Sequence, residues 1–169
     1  MKLGKLISAG LVSLTMTTAA MARDYVRMVI QDGYNLPKMD IDGSSDPYVE
    51  WWAGTQKGKT HVIDMKKGAT AEWNYVDGLE LDDTFDEIEF IVKEKDGAMS
   101  FSKIKSLGKS RKYGTVKLRV DDIEFNRDLQ LKINGKYSMG DNHQPAFITV
   151  CFTPITQDQY IDILKKRKN

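Results

Sequence analysis

The stretch 35-NLPKMDIDGSSDPYVEWW-52 places Asp40, Asp42 and Asp46 close together and runs from there into an apolar, aromatic segment. Gly43, Ser44 and Ser45 are turn formers. Tyr48, Val49, Trp51 and Trp52 are strand formers. The stretch therefore reads as an acidic turn that opens a β-strand. An EF-hand calcium loop would need Gly at its sixth position and Glu at its twelfth. Counted from Asp40, those positions hold Ser45 and Trp51, with strand-like rather than helical flanks.

Outward from this turn, alternation with a period of two dominates. YVRMVIQ precedes it and PYVEWWAG follows. Then come KTHVID, WNYVDGLEL, EIEFIVKEK, GTVKLRV, DLQLKI and AFITVCF. These are eight candidate strands separated by Gly, Asp, Asn and Lys turns, the pattern of an all-β, two-sheet antiparallel sandwich over residues 23–155. The helical period returns only in 156-TQDQYIDILKKRKN-169, where Thr156 and Gln159 form a capping-box pattern. Tyr160, Ile161 and Leu164 fall on one face of the short helix expected there.

Residues 1–22, MKLGKLISAGLVSLTMTTAAMA, have the layout of a secretory signal peptide. Lys2 and Lys5 precede a short apolar run, and Ala20-Met21-Ala22 offers a cleavage site. The apolar run is shorter than the about 20 residues a membrane-spanning helix takes. The expected location is therefore extracytoplasmic, secreted or periplasmic. Without those two lysines, bases and acids nearly balance, which argues against a nucleic-acid binder held by bulk charge. Cys151 is the single cysteine. It cannot form an internal disulfide, so the fold stands on its apolar core.

A calcium ion takes six to eight oxygens, more than one short acidic loop supplies. Loops leaving one end of a sandwich cluster there even when far apart in sequence. The segment 92-VKEKDGAMSFSK-103 leaves the strand EIEFIV carrying Glu94 and Asp96. It is the partner expected for Asp40 and Asp46. Gathered carboxylates repel, by roughly 4 kcal/mol for two charges 4 Å apart at an effective dielectric of 20. A divalent cation would reverse the sign.

NLPKMDIDGSSDPYVE resembles the opening loop of the C2 domain family, β-sandwiches that bind phospholipid with calcium. The likeness continues in order through KGKTHVI, AEWN (71–74), EIEFIVKEKD, YGTVKLRV and AFITVCFTP. It spans roughly Tyr25 to Pro154. The resemblance implies a permuted (type II) topology, in which the closing strand fills the place of an initial one. It implies calcium ligands at Asp40, Asp46, Glu94 and Asp96, with the backbone carbonyl of Lys95 between the last two. Three departures stand against it. Glu94 replaces the usual Asp, and Thr70-Ala71 replaces an Asn-Pro. Lys105 or Arg111, depending on register, occupies the place of the last acid. The resemblance then implies one weakly held calcium, in the range of about 10⁻⁴ to 10⁻³ M typical of extracellular modules, or a basic side chain in the ion's place.

Met99 and Phe101, flanked by Lys95, Lys103 and Lys105, form an apolar and basic loop tip suited to an anionic membrane surface. Lys109, Arg111 and Lys112 continue that basic run, and Lys57, Lys59, Lys66 and Lys67 form a second basic group. Each group reads as a headgroup-binding or glycan-binding patch or as a solvated face. The chain has no Gly-x-Ser-x-Gly elbow, and it offers few zinc ligands beyond His61 and His143. The expectation is a non-enzymatic module that binds phospholipid through its loop end, assisted by one calcium. The alternative is a calcium-independent sandwich with a protein or glycan partner.

Overall fold

A computed structural model of the chain describes residues 24–38, 44–65, 70–95, 111–140 and 143–167. The signal-like segment lies outside these residues. Among them, the strands are β1 (Asp24–Tyr34), β2 (Pro47–Ala53), β3 (Gln56–Lys59), β4 (Thr70–Leu81), β5 (Glu87–Glu94), β6 (Lys112–Arg119), β7 (Asp128–Lys132) and β8 (Phe147–Ile155). A helix, α1 (Gln157–Arg167), follows. The sheets run β4-β1-β8-β7 and β3-β2-β5-β6, and every named strand pair is antiparallel. The closing strand β8 lies between β1 and β7, an inner position rather than an edge.

Alternation sorts the strands' side chains as the sequence pattern requires. Val26, Met28 and Ile30 of β1 are buried, as are Val49, Trp51 and Ala53 of β2 and Ile88, Phe90 and Val92 of β5. They meet Val116, Leu118, Ile148, Val150 and Phe152 in one core. Trp73 joins that core and donates its indole N–H to the carbonyl of Pro47.

The third strand differs from expectation. It occupies Gln56–Lys59 rather than KTHVID, because Gly54, at φ 57°, makes a tight hairpin that pairs Ala53 with Gln56. Beyond Lys59 the ladder breaks. Thr60 places its hydroxyl under the N–H of Val49. Backbone bonds then run from Thr60 to Val49 and from Ile63 to Pro47, three residues set against two.

Helix α1 begins with the capping box expected of Thr156 and Gln159. The Gln159 N–H donates to Thr156 Oγ1, and the Thr156 N–H donates to Gln159 Oε1 at 2.9 Å. The docked face is shifted. Tyr160 and Ile163 lie over Gly78 of β4, and Tyr160 packs on Tyr25 with ring centroids 4.8 Å apart, while Ile161 points to solvent. Thr156→Ala removes one half of the cap. It is expected to cost about 1 kcal/mol, read as faster hydrogen exchange of α1 amides with the strand amides unchanged.

Candidate functional site

The segments between β1 and β2, β3 and β4, β5 and β6, and β7 and β8 all leave the same end of the sandwich, as the strand registers require. The first and third are stitched together. The N–H of Asp46 donates to Glu94 Oε1 at 2.6 Å, and the N–H of Lys95 donates to the carbonyl of Asp46 at 3.0 Å. The N–H of Glu94 donates to the carbonyl of Arg111 at 2.7 Å. Asp46 and the Lys95 backbone are thus brought to one rim.

Glu94 occupies a different position from the one expected of a ligand facing a cation. It is fully buried. One carboxyl oxygen accepts from the Asp46 backbone and the other from the Tyr113 hydroxyl. Its parity explains this: Glu94 continues the inward series Ile88, Phe90, Val92. Tyr113 reaches it through an irregularity in the ladder. The β5–β6 register shifts between Val92 and Lys93, so that Val92 faces Gly114 and Lys93 faces Lys112. A bulge of this kind re-aims a side chain, and here it turns Tyr113 inward. Burial, with the hydrogen bond to Glu94 second, pushes the Tyr113 hydroxyl far above its ordinary range and keeps it a donor.

Asp40 and Asp96 lie outside the described residues, as do Met99, Phe101, Lys103, Lys105, Lys66, Lys67 and Lys109. Among the described residues, no three Asp, Glu, His or Cys side chains gather as a metal-binding group. The basic residues that are described fall into two places. Lys57 and Lys59 lie on β3, with the Lys59 ammonium 4.0 Å from the Tyr48 ring centroid. Arg111 immediately precedes β6 and Lys112 opens it, at the loop end.

One feature of this end was not singled out in the sequence. In the segment between β7 and β8, Tyr137 is 39% exposed and Met139 47%, two of the most exposed large apolar side chains among the described residues. Lys136 lies 5.1 Å from the Tyr137 ring centroid. The segment is held in shape, since the Tyr137 N–H donates to the Tyr113 carbonyl and Met139 bridges to Pro145. In sequence, 135-GKYSMG-140 reads as an ordinary turn between glycines. The apolar pair inside it was the available signal.

A family model for the C2 domain matches residues 24–139, most of the chain. The protein belongs to the C2 domain family. It is 38% identical over 71 residues to a C2 and GRAM domain-containing protein of Arabidopsis thaliana, a match covering 42% of this chain and 7% of that protein. It is 41% identical over 73 residues to FT-interacting protein 7 of Oryza sativa subsp. japonica, covering 43% and 9%. The matches thus span under a tenth of either relative's length. Among solved structures, a C2 domain of plant Extended Synaptotagmin 1 superposes with a TM-score of 0.56 at 20% identity, covering 79% of this chain and 97% of that one. A calcium-bound structure of two C2 domains of Extended-Synaptotagmin 2 gives 0.58 at 17% identity, covering 79% and 46%. These structural likenesses are of fold.

Proposed function

We propose that this protein is an exported, non-enzymatic C2 module that binds anionic phospholipid through the end where its first and third loops are stitched. Phospholipid membranes are the common ligands of the family, and the layout of residues 1–22 supports export. The observation that carries the reading is the pair of bonds from Asp46 and Lys95 across the two loops. They hold one acidic rim in place at the end of the sandwich that also carries the exposed Lys136, Tyr137 and Met139. Asp40, Asp46, Asp96 and the Lys95 carbonyl are the oxygens that would take a single calcium, with Glu94 bracing the rim from inside. Tyr137 and Met139 enter the interface between headgroups and acyl chains, as an amphipathic surface does.

The alternative is a calcium-independent sandwich with a protein or glycan partner. It is favoured by the internal commitment of Glu94, which leaves fewer oxygens for an ion. Calorimetric titration with calcium, repeated on Asp46→Asn and Asp96→Asn, tests the ion. Absence of binding heat at millimolar calcium removes it. Co-sedimentation with phosphatidylserine vesicles, with and without chelator, tests the surface. Tyr137→Asp combined with Met139→Asp is expected to weaken vesicle binding by about tenfold or more, since each buried apolar side chain contributes about 1.5–3 kcal/mol. Unchanged vesicle binding in that variant would remove the β7–β8 segment from the interface. Absence of vesicle binding by the unaltered chain would favour the alternative.

A further inference from the structure

The second candidate site lies away from the loop end, between α1 and the outer face of the β4-β1 pair. A half-open cleft of about 860 Å³ lies there, within the range that holds small molecules. Arg27 of β1, Lys59 of β3, and Lys166 and Arg167 of α1 line it with four cations, against one acid, Asp162, and an apolar floor that includes Val76.

The wall of this cleft is built rather than draped. Asp77, fully buried in β4, accepts from the Tyr75 hydroxyl at 2.6 Å and the Gly78 N–H at 2.9 Å, and it pairs with Arg167 at 3.2 Å. A second Arg167 nitrogen donates to the Lys57 carbonyl at 2.5 Å. Arg167 therefore ties the end of α1 to both sheets. Burial first, and then Asp77, push the Tyr75 hydroxyl up to about 12, so it remains the donor that supports Asp77 at neutral pH.

The charges do not cancel. Asp77 offsets Arg167, and Asp162 offsets one cation more while also facing Lys165. Among the described residues neither Arg27 nor Lys166 has an ion-pair partner. Lys59 lies over the Tyr48 ring, which does not neutralise it. An excess of about two positive charges remains in a cleft with low-dielectric walls, where it concentrates anions. A phosphomonoester carries about −1.5 to −2 at pH 7, whereas a diester carries a single charge. A guanidinium meets phosphate oxygens in a paired, directional way that an ammonium does not.

We propose that this cleft is a phosphomonoester-binding site, with Arg27 and Lys166 as its principal contacts and Arg167 as the residue that positions the helix. Helix α1 lies beyond residues 24–139, which the family model matches, and supplies one wall of the cleft. The ligand is a soluble phosphomonoester or the headgroup of a lipid that ends in one.

The test uses the full chain and two probes. For soluble ligands, glycerol 3-phosphate is titrated while backbone amide shifts are followed. Saturable shifts are expected around Arg27, Tyr75 and Lys166. For lipid, co-sedimentation compares phosphatidic acid vesicles with phosphatidylglycerol vesicles matched in surface charge, in chelator. Arg27→Glu with Lys166→Glu, both exposed positions, is expected to weaken binding by at least about tenfold. Tyr137→Asp with Met139→Asp leaves the glycerol 3-phosphate response unchanged, which separates this site from the loop end. Response to the soluble probe alone assigns a free phosphomonoester, and preference for phosphatidic acid lost in the Arg27 and Lys166 variant assigns a lipid. Absence of both responses, or responses that survive the charge reversal, overturns the site.

Discussion

Glu94→Ala is expected to lower the stability of the protein by about 3–5 kcal/mol, the largest loss of any single polar substitution at the loop end. The carboxyl is fully buried and accepts from two donors, the Asp46 N–H and the Tyr113 hydroxyl. Its removal leaves both donors without these bonds inside the protein, at about 1–3 kcal/mol each. It also opens a void where a side chain was packed. Urea unfolding followed by tryptophan fluorescence reads the change as a shift in midpoint at constant slope. Glu94→Gln retains an acceptor for one donor and is expected to cost less than half as much. The pair also decides Glu94's role. A variant that keeps its stability as Gln but loses calcium heat would make Glu94 a ligand. A loss under about 1 kcal/mol in Glu94→Ala would remove the tether.

The second large effect is expected at Gly114→Ala, on the other side of the same corner. A Cβ there would lie 2.5 Å from the carbonyl oxygen of Asn134, 2.8 Å from its carbonyl carbon and 2.6 Å from Ile133 Cγ2. Two of these are backbone atoms, which cannot rotate away. Gly135 shows the reciprocal crowding, with a Cβ placed 2.5 Å from the Tyr113 carbonyl and 2.6 Å from Gly114 Cα. This contact is where the two sheets join, through paired backbone bonds of 2.9 Å between Thr115 and Asn134. Forcing it apart is expected to cost about 3 kcal/mol, the upper end of overpacking effects. For a chain of this size that lowers the melting temperature by roughly 6–12 °C. A melting temperature within about 2 °C of the parent would show that the corner yields freely.

Much of the sandwich was legible because period-two alternation states which residues share a face. Val26, Met28 and Ile30, or Ile88, Phe90 and Val92, declare an inward series without reference to any partner. The capping box of Thr156 and Gln159 was legible for the same reason, since both halves lie within one turn. The third strand was misplaced because KTHVID alternates as well as QKGK does. The hairpin geometry at Gly54 and the Thr60 hydroxyl decided between them. Ile161 shares a face of α1 with Tyr160 and Leu164 by spacing, yet Ile163 joins Tyr160 against the sheet, because the bare backbone at Gly78 sets where the helix can approach.

The candidate site divides along the same line. The sequence alone determined that acidic segments follow the first strand and the strand EIEFIV, that Glu94 shares the parity of Ile88, Phe90 and Val92, and that a short capped helix follows the last strand. These are properties of spacing, and spacing is local. Only the tertiary structure shows what Glu94 touches, because its partner Tyr113 lies on the next strand and faces inward through a one-residue register shift. Likewise, only the structure brought Arg27, Lys59, Lys166 and Arg167 to one cleft, since they come from β1, β3 and the end of α1. Alternation says which way a side chain points; it carries no information on which distant residue, or which unbalanced charge, it will meet there.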